Sequence, residues 1–197
     1  MPNTSRFRLR RLLRPFLAGA LLALAGCVAY SDHPLTDPGA QPIDTALIGS
    51  WAVVEEGEEV YLHIGYDKDT RRLRLLMVEI GRDRQLRATG FTAHTSKLRD
   101  RRYLNLKADD PDAAAPDWLI VKYAVDGDSL HVAFMNNGAA VDAIRSGKIQ
   151  GEADPDDRSA AAHLTAAQRP LQRFVTRHDQ DLFGETSAMQ RLPVNHP

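Results

Sequence analysis

One cysteine, Cys27, serves the whole 197-residue chain, so no intramolecular disulfide braces the fold. Stability has to come from an apolar core, for which the ~150 residues beyond a leader and linker suffice. No helix-spanning apolar run is present either: Phe16 to Ala25 stops short of the ~20 residues a bilayer requires. A basic excess is also missing, with 25 Lys and Arg against 26 Asp and Glu, which excludes a nucleic-acid binder. Finally, there is no Gly-x-Ser-x-Gly elbow, phosphate loop or dinucleotide fingerprint, so the reactions those motifs mark find no support.

What is there begins at the N-terminus. Arg6, Arg8, Arg10, Arg11 and Arg14 form a cationic start, the apolar run has signal-peptide length, and Leu24-Ala25-Gly26-Cys27 follows. This order resembles the lipobox signal peptide of bacterial lipoproteins. The resemblance implies cleavage after Gly26, palmitate-type acyl chains on Cys27 and attachment to the membrane through them. At ~0.8 kcal/mol per buried methylene, several chains hold firmly where one does not. Val28 rather than aspartate after the cysteine implies the outer membrane, facing the periplasm. An ordinary secretory signal and an uncleaved anchor are the competing readings; the Arg10-Arg11 pair arises easily in such a stretch and earns no twin-arginine assignment. Five basic and no acidic residues precede Cys27, so cleavage leaves 20 basic against 26 acidic side chains, about −6.

After the signal peptide (1–26), residues 27–46 read as a lipidated N-terminus and flexible tether, punctuated by Pro34, Pro38, Gly39 and Pro42 without apolar periodicity. Residues 47–151 read as a β-meander. Val60, Leu62, Ile64 and Tyr66 alternate, as do Leu73, Leu75, Met77 and Glu79, and further strands are predicted at Leu86–Ser96, Tyr103–Lys107, Trp118–Val125 and Leu130–Met135. Asp126-Gly127 marks a type I′ hairpin. Ala139–Ser146 is a short helix with Gly147 as its stop, and Lys148–Gly151 is a candidate last strand. Residues 152–197 read as an acidic loop, a C-terminal helix and a tail. There Thr165 and Gln168 resemble a capping box, Pro170 forces a kink or a later start, and Leu171, Phe174 and Val175 make an apolar stripe with Arg169, Arg173 and Arg177 in solvent.

The expected fold is therefore mainly β, an antiparallel up-and-down meander of about seven or eight strands forming a barrel or half-barrel, with the helix packed on it. Gly49-Ser50-Trp51 resembles the Gly-x-Trp motif of lipocalins, which implies that Trp51 plugs one barrel end. A plain core aromatic opening a strand is the alternative reading of Trp51. The sequence offers no Thr-Asp-Tyr motif and no clear late-strand arginine for the tryptophan. Trp51, Leu62, Leu75, Trp118, Val132 and Phe134 are the expected core, with Trp51, Trp118 and Phe174 as its structural markers.

Candidate chemistry is sparse. His63, His94 and His131 lie mid-strand out of phase with the apolar faces, where convergence inside a barrel would make a zinc site and divergence a scattered polar face. Glu55, Glu56, Glu58 and Glu59, and Asp109, Asp110, Asp112 and Asp117, lack a calcium-loop register and read as solvated turns. Ser96 and His94 point the same way without a third group, so no dyad is expected. In a meander the 67–72, 97–102 and 126–129 turns share the end where the tether enters. Their basic excess would set that end against anionic headgroups, or is the ordinary solubilising charge of turns. The expectation is a non-enzymatic accessory lipoprotein docking an envelope protein, without cofactor, metal or nucleic acid; the alternative is a lipocalin-like module for a small apolar ligand, and an enzyme stands third.

Overall fold

A computed structural model describes residues 28–55, 58–109, 117–154, 157 and 160–193. In chain order its elements are β1 (Tyr30–Ser31), β2 (Gly49–Glu55), β3 (Glu58–Asp67), β4 (Arg72–Ile80), β5 (Leu86–Leu98), β6 (Arg101–Ala108), β7 (Trp118–Asp126), β8 (Ser129–Phe134), α1 (Asn137–Arg145), β9 (His163–Leu164), α2 (Gln168–Arg177), α3 (Asp179–Leu182) and β10 (Ser187–Arg191). Strands β2 to β8 pair antiparallel in sequence order, and β10 fits between β8 and β2. The result is a closed eight-stranded antiparallel barrel, which leaves its strands no free edge. The expected meander is thus confirmed as mainly β, with a C-terminal helix region.

The eighth strand comes from an unexpected place. Lys148–Gly151 forms no strand; Ser187–Arg191, in the segment read as a tail, closes the barrel instead. Two short pieces, β1 and β9, pair with each other, and β1 takes the place beside Leu119 and Trp118 that β8 vacates at its end.

Alternation puts every second side chain inside. Trp51, Ile64, Leu73, Tyr123 and Leu130 fill one end of the barrel and are almost wholly buried. A 3-10 turn, Thr45–Leu47, seals that end: Leu47 is buried and the Trp51 indole N–H donates to its carbonyl at 2.9 Å. Asp44 caps the turn, pairs with Arg102 and accepts from the Tyr123 hydroxyl at 3.0 Å. Gly127 takes a positive φ of 56° at the β7–β8 hairpin while Asp128 does not, so this turn departs from the expected type I′.

A second core lies outside the barrel wall. Leu171, Phe174 and Val175 of α2 pack with α1, Leu182, Phe183 and the outward-facing Tyr103, Ile120 and Ala133. Each buried apolar side chain of this size contributes ~1.5–3 kcal/mol, which a ten-residue helix needs because it is marginal alone. Arg169, Arg173 and Arg177 are exposed, as the stripe required. Thr165 does not cap α2; the helix starts at Gln168 behind Ala167 without a side-chain cap. Pro170 sits in the first turn, where backbone N–H groups have no helical partner to lose. Asp179 locks the layer: it is 3% exposed, accepts from the Tyr103 hydroxyl at 2.6 Å, and pairs with Lys122 and Arg101.

The flexible tether is overturned from Val28 onward. Ala29, Leu35 and Thr36 are buried on the outer wall, and their backbone is held by side chains beneath and above. Asn105 accepts from the Leu35 N–H at 2.7 Å, His94 meets the Thr36 carbonyl at 2.7 Å, and Gln172 donates to the Leu35 carbonyl. The prolines and glycine mark an irregular path, and the apolar residues along it dock singly rather than with a period.

Candidate ligand cavity

Above the Trp51 end the barrel is hollow. A cavity of about 580 Å³ is lined by Val60, Leu62, Leu75, Met77, Phe91, Leu104, Leu106, Val121, Val132, Phe134 and Met189, with Tyr30, Leu119, Thr89 and Ala108 toward the mouth. Protein interiors rarely leave voids larger than a water molecule, and an empty apolar void costs stability. Ligand sites run ~300–1,000 Å³ and an eight-stranded barrel can hold one small ligand, so this volume is of the right order. Leu62 and Phe134, expected in the core, are half-buried because they face this space.

Among the described residues lining it, Glu79 and Arg87 are the ionisable carboxylate and guanidinium. They are direct partners across β4 and β5, near the mouth. Burial pushes the Glu79 carboxyl above the usual carboxylate range, with Arg87 partly opposing. The cavity therefore offers a deep apolar body and one charged pair at its entrance. Such a site can hold an apolar molecule and orient it.

The three candidate histidines do not converge. His63, His94 and His131 sit on β3, β5 and β8 in outward phase, because their strand neighbours Leu62, Ala93 and Val132 face in. His63 bonds Ser50 on the surface at 2.8 Å. His94 is buried under the Leu35–Thr36 segment, its ring edge-on to Trp118 at 5.2 Å, and burial holds it below its ordinary range. Its Nε2 meets a carbonyl, so Nε2 carries the proton and Nδ1 has no partner. Ser96 pairs instead with Thr36 and Asn105. Trp118 also faces out, half-buried beneath Lys107, a correction to its expected place in the core.

The acidic turns are consumed by ion pairs: Glu58 with Arg82, Glu59 with Arg84, Asp109 with Arg74. Glu56, Asp110, Asp112 and Cys27 lie outside the described residues, and so does the side chain of Glu55. Asp32, Asp117 and His163 bring ligand-type atoms within 4.8 Å of one another, a group the sequence could not assemble because it joins the residue after β1, the residue before β7 and the first residue of β9. The His163 Nε2 lies 2.7 Å from Asp32. That is hydrogen-bond distance, shorter than the ~3.3 Å between two ligands at ~2.0 Å on a tetrahedral ion. The group therefore reads as a surface clasp.

The closed end holds the residue that sequence reading missed. Arg191, the last residue of β10, lies 4.0 Å over the Trp51 ring and donates to the Ile48 and Ala46 carbonyls at 2.9 Å. No protein-family model matches the chain, and no curated protein or solved structure does.

Proposed function

We propose that this chain is a lipid-anchored envelope protein whose barrel holds a small apolar molecule. The observation that carries the reading is the apolar cavity of about 580 Å³, sealed at the Trp51 end and charged only near its mouth among the described lining residues. The lipocalin-like comparison gains support from the closed barrel and from Arg191 over Trp51. The anchor is Cys27, at the outer membrane and facing the periplasm, on the strength of its lipobox.

Titration of the chain from Val28 onward with the apolar fluorophore N-phenylnaphthylamine tests the cavity. Saturable enhancement, competed by lipid extracted from the natively purified protein, supports the reading; a linear, unsaturable response removes it. For the anchor, wild type should take up a palmitate analogue and Cys27→Ser should accumulate as unlabelled precursor. Docking of an envelope protein is the second reading, favoured by Leu76, 44% exposed on the wall away from the helices. A co-purifying protein lost on Leu76→Asp, with fluorophore binding intact, would favour that role instead.

A further inference from the structure

We propose that the mouth of the cavity, not the Trp51 end, is the face this protein sets against the bilayer. The inference rests on the lipid anchor at Cys27 and on the cavity reading above. The sequence alone placed a tether of some twenty residues between lipid and barrel, with the Trp51 end nearest the headgroups. The structure removes that slack. Val28 is buried and bridges to Asn136, two residues past the mouth end of β8. Tyr30, two residues later, pairs with Leu119 at the mouth end of β7 and lines the cavity itself. From there the chain crosses the outer wall, reaches the sealed end at Gln41, which bonds the Lys97 backbone, and covers that end with Thr45–Leu47. Consecutive Cα atoms are ~3.8 Å apart, so acyl chains on Cys27 enter the bilayer within one residue of Val28.

The rim is built for such a surface. Val54 and Leu86, beside the β2–β3 and β4–β5 turns, are 62% and 64% exposed, the largest exposures among the described large apolar residues. Between the same two turns, Glu58 and Glu59 pair with Arg82 and Arg84 at 3.1 and 3.5 Å. Paired charges lose less than isolated ones on approaching a low-dielectric surface. Both ends carry exposed charge, Arg82, Asp83 and Arg84 at the rim and Lys68, Asp69, Arg99, Asp100 and Asp128 at the sealed end, but beside the turns of the sealed end the exposed large apolar residue among those described is Tyr66, at only 42%. With the mouth at the bilayer, an apolar molecule passes between membrane and cavity without crossing bulk water.

Full-length protein, processed in cells and purified with its acyl chains, provides the test. Acylation of Cys27 leaves a thiol introduced by Leu86→Cys, at the rim, or by Asp128→Cys, at the sealed end, as the single reactive one. Each is labelled with a polarity-sensitive dye and reconstituted in vesicles of phosphatidylethanolamine and phosphatidylglycerol containing doxyl-labelled lipid. Quenching several-fold stronger at the Leu86 position is expected. Equal quenching, or stronger quenching at position 128 by attraction of the basic turns to anionic lipid, in protein that floats with the vesicles, overturns the orientation alone. Protein that carries no acyl chain and does not float overturns the anchor and this inference with it. The fluorophore titration stands apart from both outcomes, since it reads the cavity in the absence of membrane.

Discussion

Gly49 and Arg191 meet at a distance only glycine tolerates: a Cβ on Gly49 would lie 2.5 Å from the Arg191 guanidinium. Gly49 also holds φ at +139°, a region that side-chain-bearing residues rarely adopt. The glycine of Gly-x-Trp thus clears the path by which the last strand's arginine reaches Trp51, two residues on. Trp51, Arg191 and the 46–48 carbonyls form one seal over the end of the barrel.

Removing the guanidinium should loosen that seal. Arg191→Ala forfeits a cation–π contact of ~0.5–2 kcal/mol and two charge-assisted hydrogen bonds, for a net loss of about 2 kcal/mol after solvent screening. Trp51→Ala should cost more, ~3–5 kcal/mol, because it also empties core volume. Urea melts of the two single variants and the double check this. A double variant as unstable as the sum of the singles would show that the two side chains act independently.

The outer layer makes a separate demand. Phe174→Asp places a carboxylate among Tyr103, Leu171 and Phe183, and should lower stability by at least ~3 kcal/mol, the order of losing a buried Phe. Circular dichroism melts of the purified chain measure it. An unchanged melting temperature would mean that α2 does not depend on the barrel wall.

Acid should weaken the Leu35–Thr36 clamp. Burial holds the folded His94 below its ordinary 6.5, the Thr36 hydrogen bond opposing in part. With the folded value the lower one, the unfolded chain binds the proton first. Stability from this group is therefore complete above pH 6.5 and is lost as pH falls from there through the folded value. His94→Phe gives up the carbonyl contact, ~1 kcal/mol at neutral pH, but should flatten the slope of stability below pH 6.5. A slope identical to wild type assigns the acid sensitivity elsewhere.

Period-two alternation made the barrel legible, because seven of its strands carry enough inward apolar residues to reveal their phase. β10 did not, since Ser-Ala-Met-Gln-Arg has one buried apolar residue, Met189, and borrows its strand character from β8 and β2 on either side. Arg191 was hidden with it. The segment after Val28 read as a tether because its contacts are long-range: Leu35 answers to Asn105 and Gln172, 70 and 137 positions away. Trp118 looked like core and lies outside, a matter of strand phase that one apolar residue at a strand start does not fix. Least legible of all was the cavity. A void is a shortfall of side-chain volume across strands, and it exists only once register and closure are known.

That shortfall gives the most direct prediction. Met77 projects from β4 into the cavity and is only half-buried there. Replacing it with tryptophan adds a rigid ring to space that is empty, so overpacking strain should be small and apolar contacts should increase. Met77→Trp should therefore leave the melting temperature equal or higher while weakening N-phenylnaphthylamine binding at least ~10-fold, or ~1.4 kcal/mol. Val54→Ser, on the outer surface, is the control and should change neither quantity. Fluorescence titration beside a thermal melt separates the cases. Lost binding in a stable Met77→Trp protein places the ligand inside the barrel. Full binding with the ring in place would move it to the outer wall and leave the hollow without a role in recognition.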